Sequence, residues 1–312
     1  MPEPRYDIIA IDIDGTLFDS SGQVSEANIA ALADARRAGI EIVLCTGRGY
    51  PESVDAVHAV GAHHPSKGRN VAPIVVSGGA MIVDAAAGKT MHRWAIPQDL
   101  VQGVCALFAS MRRAPLLLKD RDAAGFDYLV IKTGPIEPPT EWWFNVMPVE
   151  VRYVDRLDQD EHPEHTVRVG FAAHHETMVE LATKVRDQFG RDATIHHFAA
   201  VSSGGAPVNG ATEAEARRGG KDRTIQLLEV FNPSVSKWTA IHRLALEQQV
   251  PRERVCAIGD EVNDVAMIEG AGLGIAMANA IAPVKAAAEI ETRSNDDDGV
   301  AYAIEQILSG AW

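Results

Sequence analysis

The chain has 312 residues, 46% of them hydrophobic and 23% charged, with 29 Lys plus Arg against 43 Asp plus Glu for a formal charge of −14. This is globular composition with length for about two domains, and it excludes disorder, fibres and a long basic groove for nucleic acid. The first apolar run, Ile8 to Ile13, contains Asp12 and is too short for a signal or membrane-spanning helix, so a cytoplasmic protein without membrane or nucleic-acid partners is expected.

That run is the first of several continuous apolar stretches, followed by Ile40 to Cys45, Ile74 to Ser77, Val255 to Ile258 and Leu273 to Ala276. Such stretches suit strands buried on both faces of a parallel sheet. Between the first two, Ser25 to Ala38 places Ile29, Leu32 and Ala35 at helical spacing, with Ser25 as N-cap and Gly39 as the stop, which makes a βαβ unit. The middle of the chain changes character. Met81 to Val83 and Thr90 to Trp94 flank a turn-rich Asp84 to Lys89 and predict a hairpin, and Leu100, Val101, Val104, Leu107, Phe108 and Met111 mark one helix face. Strand-like runs at Leu116 to Lys119, Phe126 to Thr133, Thr166 to Ala172 and Thr194 to Phe198 surround a second helical pattern, Glu176 to Phe189. Trp142-Trp143-Phe144 follows a turn rich in proline (Pro135, Pro138, Pro139) and is read as a packing cluster.

Ser202 to Arg223 is rich in Gly, Ala and charge without apolar period, and a mobile loop is expected at 202–223. Helical patterns return at Lys237 to Gln249, Asn263 to Glu269, Ala280 to Ala288 and Val300 to Leu308, alternating with the late strands. The fold class is therefore α/β: a doubly wound, Rossmann-like parallel sheet core from residues 1–83 and 229–312, with an inserted α+β domain at 84–228. The cysteines, Cys45, Cys105 and Cys256, lie far apart in apolar stretches and read as reduced, buried thiols. The adjacent histidine pairs, His63-His64, His174-His175 and His196-His197, are poorly spaced for binding one metal ion and are not read as a zinc site.

The chemistry gathers at strand ends. Asp12 and Asp14 stand two apart at the end of the first strand, so alternation can present both carboxylates to one substrate, and Gly15-Thr16 follows. In open α/β sheets ligands bind outside the carboxyl ends of the strands, where this motif falls. Thr46-Gly47-Arg48 leaves the second strand with a hydroxyl, a backbone N–H and a guanidinium, each able to hold a phosphate oxygen. Gly259-Asp260-Glu261-Val262-Asn263-Asp264 adds carboxylates at another strand end, and Asp12 with Asp260 makes a hard oxygen site suited to Mg²⁺. Lys237, near a helix start, can temper these acids.

Together these four segments resemble the haloacid dehalogenase superfamily of aspartate-nucleophile phosphatases, with motifs D-x-D-G-T, a Thr after strand two, a Lys and G-D-x-x-N-D. The insert between Thr46 and Lys237, with Asn279-Ala280 to Lys285 and Ser294-Asn295 to Ala301, resembles the Cof-type subfamily with a C2B cap. The resemblance implies that Asp12 attacks phosphorus to give an aspartyl phosphate while Asp14 protonates the leaving oxygen and later deprotonates water. It implies Mg²⁺ on the Asp12 and Asp260 carboxylates and the Asp14 carbonyl, with Asp264 orienting metal waters and Lys237. Thr46, the Gly47 N–H, Lys237 and Asn263 would bind the phosphoryl oxygens, and Arg48 would touch phosphate or substrate. One departure is Ser77-Gly78-Gly79-Ala80, where relatives commonly carry Asn in place of Gly78. The expected function is Mg²⁺-dependent hydrolysis of a small phosphorylated metabolite, a sugar phosphate or phosphorylated cofactor, by a monomer or homodimer. A sugar phosphomutase and a non-catalytic metabolite-binding or phosphoacceptor protein are the alternatives.

Overall fold

A computed structural model describes residues 4–66, 68–201 and 225–312. The predicted loop at 202–223 lies outside the described residues. The strands in chain order are β1 (Ile8–Asp12), β2 (Glu41–Cys45), β3 (Pro73–Val76), β4 (Met81–Asp84), β5 (Lys89–Arg93), β6 (Leu116–Lys119), β7 (Tyr128–Ile131), β8 (Val151–Val154), β9 (Thr166–His174), β10 (Thr194–Val201), β11 (Ile225–Phe231), β12 (Val255–Gly259), β13 (Leu273–Ala276) and β14 (Ile290–Glu291). They form one sheet in the order β14-β13-β12-β1-β2-β3-β4-β5 and a second in the order β10-β11-β9-β6-β7-β8. The chain divides into two compact units, Met1–Met91 with Ser236–Trp312, and His92–Val235. The pattern had suggested cuts at 83/84 and 228/229. The difference comes from β4 and β5, which extend the first sheet, and from β11, which pairs with β9 and β10 in the second.

In the first unit β14, β13, β12, β1, β2 and β3 run parallel, and β4 joins β3 antiparallel. Every residue of β1, β2 and β12 is buried, so both faces of the sheet are covered, and this is why these segments are apolar without alternation. The covering helices bury one stripe each. Ala31, Leu32 and Ala35 come from Glu26–Arg37, Ala240, Ile241 and Leu244 from Lys237–Glu247, and Val300, Ala303, Ile304 and Ile307 from Gly299–Ser309. Ser25 caps the first of these by accepting the Asn28 N–H at 3.1 Å. From β1 the chain builds outward through β2 on one side and, after the long insert, through β12 on the other. The crevice at such a reversal of strand order is where doubly wound sheets bind ligands.

The second unit is an antiparallel sheet, except that β8 runs parallel to β7. The helices Gln98–Ser110 and His175–Phe189 contribute Val104, Phe108, Met178, Leu181 and Val185 to a core with Leu117, Phe171 and Leu228. Phe108 meets Phe171 edge to face at 5.6 Å between centroids. One expectation needs correction here. Pro138 and Pro139 do not form a turn but open a helix, Pro138–Val146, since proline fits the first helical turn where no N–H partner is needed. The Trp142-Trp143-Phe144 cluster therefore sits on that helix, with Phe144 packed 5.2 Å from the Tyr128 ring and Trp142 exposed. Cys45, Cys105 and Cys256 are free and buried, as expected. No helix among the described residues is long and apolar enough to cross a membrane.

Candidate active site

Three strand ends of the first unit, those of β1, β2 and β12, and the start of the helix Lys237–Glu247 supply the predicted residues. β1 stops at Asp12, and the turn Ile13–Leu17 then carries Asp14 in extended backbone and Gly15 at φ 81°, a conformation that favours glycine. Thr16 is fully buried and donates its hydroxyl to Asp260 Oδ1 at 2.8 Å, tying the first motif to the last. The far side of the turn is held by Asn279, whose Nδ2 donates to the Gly15 carbonyl at 2.8 Å. Asn295 donates to the Phe18 carbonyl at 2.9 Å and, through its N–H, to Asn279 Oδ1 at 3.0 Å.

At the end of β2, Thr46 is buried and its Oγ1 accepts the Arg48 N–H at 3.1 Å. The Arg48 guanidinium grips Asp14 with a fork, Nε to Oδ2 at 2.8 Å and Nη2 to Oδ1. Both side chains keep contact with solvent, at 23% and 37% exposure. A Cβ on Gly47 would stand 3.6 Å from Asn263 Nδ2, so the second and fourth motifs meet there. Beyond β3, Ser77, Gly78 and Gly79 all have positive φ, at 54°, 65° and 101°. At Gly79 a Cβ would lie 2.1 Å from the Ser236 carbonyl oxygen, so only glycine lets this turn lie against the start of the helix that carries Lys237. The Ser77 hydroxyl is buried without a hydrogen-bond partner among the described residues.

Lys237 is the hub. Ser236 caps its helix by accepting the Thr239 N–H at 3.1 Å, and the Lys237 side chain is fully buried. Its ammonium donates to Asp12 Oδ1, to Asp264 Oδ1 at 2.5 Å and to Asn263 Oδ1 at 3.4 Å. The other oxygen of Asp264 accepts the N–H groups of Asp260 (2.9 Å) and Glu261 (3.0 Å), so this buried carboxylate orients both Lys237 and the loop bearing Asp260. Glu261 turns aside to accept the Val262 N–H at 2.7 Å.

Electrostatics follow from burial. Desolvation, then the nearby charge of Asp264, pushes the Asp12 carboxyl up to about 8. Asp260 is raised well above its ordinary value, first by burial and then by Asp12 and Asp264. Burial works against the Lys237 ammonium, but Asp12 and Asp264 outweigh it and hold its pKa above the ordinary lysine value. One carboxylate oxygen each from Asp12, Asp260 and Asp264 lie within 4.8 Å of one another, a surplus of negative charge over one ammonium. An all-oxygen donor set short of positive charge fits a hard divalent cation such as Mg²⁺. Among the described residues, none of the adjacent histidine pairs joins such a group.

This arrangement can place an anionic oxygen nucleophile, a partly solvated carboxylate and several donors around one phosphoryl group. A profile of haloacid dehalogenase-like hydrolases matches residues 9–208 and 212–304. The chain belongs to that family. It is 27% identical to the phosphatase YwpJ of Bacillus subtilis across 96% of this chain and 99% of that protein. It is 28% identical, over 97% of its length, to an Arabidopsis thaliana protein named endoribonuclease YBEY, chloroplastic, and spans only 46% of that longer relative. A haloacid dehalogenase-like hydrolase from Bacteroides thetaiotaomicron shares the fold with a TM-score of 0.71 at 23% identity, over 97% of this chain and 99% of that one. As a member of this hydrolase family with phosphatases among its full-length relatives, the chain is an enzyme of the phosphatase kind.

Proposed function

We propose that the protein is a Mg²⁺-dependent phosphatase of a small phosphorylated metabolite, a sugar phosphate or phosphorylated cofactor, working through an aspartyl phosphate on Asp12. The observation that carries this is the buried Asp12–Lys237–Asp264 cluster lying at the same sheet edge as the Arg48–Asp14 pair. Asp12 is held by Lys237 with one oxygen, and in the first step an Asp12 oxygen bonds to phosphorus as the ester P–O bond breaks. Asp14, the more exposed of the pair, gives its proton to the leaving oxygen, then takes one from the water that releases phosphate and restores Asp12. Thr46, the Gly47 N–H, Lys237 and Asn263 are assigned to the phosphoryl oxygens, and Arg48 to sharing its guanidinium between Asp14 and substrate. The Asp12 and Asp260 carboxylates and the Asp14 carbonyl would hold Mg²⁺, with Asp264 keeping Lys237 and the Asp260 loop in place. When bound, the cation supplies positive charge against the phosphoryl oxygens and Asp12.

The inserted unit is proposed as the cap of this enzyme, and a cytoplasmic setting is supported by the three free, buried thiols. Phosphate release from sugar phosphates, nucleotides and phosphorylated cofactors, with Mg²⁺ or EDTA, tests the reading in wild type and Asp12→Asn. Multiple-turnover, Mg²⁺-dependent release that vanishes in Asp12→Asn is expected. Transfer of phosphate to a second hydroxyl of the substrate would make the protein a mutase, and absence of turnover with every substrate would overturn the phosphatase reading.

A further inference from the structure

We propose that His162, Glu164 and His165 of the second unit form a binding site for a divalent transition-metal ion of the imidazole-accepting class, with Zn²⁺ as the probe. One donor atom from each of the three lies within 4.8 Å of the others. The backbone explains why. Pro163–His165 is a single 3₁₀ turn opened by proline, and at three residues per turn the residues i and i+3 eclipse, which brings His162 and His165 to one side. Their ring centroids are 5.9 Å apart and the rings are inclined by only 32°. The Glu164 carboxylate reaches His165 Nε2 at 3.1 Å.

The turn is pinned from below. Buried Lys119 donates to Asp160 at 2.5 Å, to the His162 carbonyl at 3.1 Å and to Thr166 Oγ1 at 2.7 Å. Asp160 accepts the His162 N–H at 3.0 Å, and the Asp120 N–H donates to the His165 carbonyl at 2.9 Å. Because Lys119 and Asp160 neutralise each other, the platform adds no net charge beneath the three donors. His165 Nδ1 is buried without a hydrogen-bond partner among the described residues, while the Glu164 side chain is 62% exposed and leaves a way in from solvent. Two imidazoles and a carboxylate match Zn²⁺ or Co²⁺ and leave a position for water, whereas Mg²⁺ prefers oxygen donors alone.

The test uses the full chain in saturating Mg²⁺, which occupies oxygen-only sites. Zn²⁺ is titrated against a chromophoric chelator, and Co²⁺ is followed by its visible absorption. Wild type should bind one equivalent, with Co²⁺ bands of a four- or five-coordinate, nitrogen-containing site. Glu164→Gln and His165→Gln should each weaken binding by more than the roughly ten- to hundredfold that loss of a mere outer partner costs. Glu164 is exposed, so Glu164→Gln should melt like wild type without metal, which separates lost ligation from lost folding. No stoichiometric Zn²⁺ in wild type, or equal affinity in wild type and both variants, overturns the proposal.

Discussion

Replacing Lys237 by Met keeps the length of the side chain and removes its charge. In the metal-free protein this strands Asp12 and Asp264, both buried and both hydrogen-bonded to the lost ammonium, beside the third buried acid, Asp260. Breaking a buried ion pair by deleting one partner costs about 3–5 kcal/mol, because a charge is left without compensation. Asp12, already pushed up to about 8, can relieve part of this by taking a proton, which places the loss near the lower end at pH 7. The relief requires proton uptake on folding, so the loss grows as the pH is raised from 7 to 9. At about 2–4 °C per kcal/mol for a unit of this size, the first unit should melt roughly 6–12 °C lower at pH 7 and further below wild type at higher pH. Scanning calorimetry of the full chain in EDTA reads the shift directly. Mg²⁺ should shrink it, and Lys237→Met combined with Asp12→Asn should recover part of the stability by removing a stranded charge. A loss under about 1 kcal/mol in EDTA, or a double variant no more stable than Lys237→Met alone, would refute a charge-based account of this cluster.

Thr16→Val deletes the hydroxyl that meets Asp260 at 2.8 Å, and urea unfolding without metal should show a loss of about 1–3 kcal/mol for the undonated buried carboxyl oxygen. Gly79→Ala puts a Cβ 2.1 Å from the Ser236 carbonyl oxygen, whereas Gly22→Ala meets open space at a similarly positive φ. Thermal melts should show the first costing clearly more than the roughly 1–2 kcal/mol of left-handed backbone strain expected for the second. Arg48→Lys keeps the charge but loses the fork on Asp14, and steady-state assays should show kcat/KM falling roughly ten- to a hundredfold, the equivalent of one charged hydrogen bond.

Strands β1, β2, β3, β12 and β13 of the first sheet were legible because burial on both faces leaves an uninterrupted apolar record, and the aspartates at the ends of β1 and β12 stand out against it. Ser25 announced its helix through ordinary capping chemistry. The helix at Pro138 was not legible, since proline signals a turn and a helix start with the same letter. β8 was missed because Val151-Arg152-Tyr153-Val154 is a short, partly exposed edge strand without a clean apolar alternation. At the site, residue types and strand ends were visible, but their pairings were not. Thr16 meets Asp260 across 244 positions, and Asn279 meets the Gly15 carbonyl across 264. Nothing local in Thr16 or Asn279 marks either for that task. The Arg48 fork on Asp14 was hidden for the same reason, although both residues had been singled out separately. His162 and His165 escaped notice because nothing in the local sequence marks 162–165 as a helical turn, which is what brings a spacing of three to one face.

β1 lies between β2 and β12, and this order has a consequence for the protein as it is made. A ribosome adding roughly 5–20 residues per second takes on the order of ten to fifty seconds to pass from Asp12 to Val255. For that interval the nascent first strand has a partner on one edge only. The open edge is apolar and ready to pair with any strand that comes near, the situation that draws chaperones to emerging chains. Asp260 and Asp264 arrive later still, so the acidic cluster cannot close until the ribosome has passed the whole insert. A message truncated anywhere in the insert would yield a sticky half-sheet with Asp12 in place and nothing to hold it.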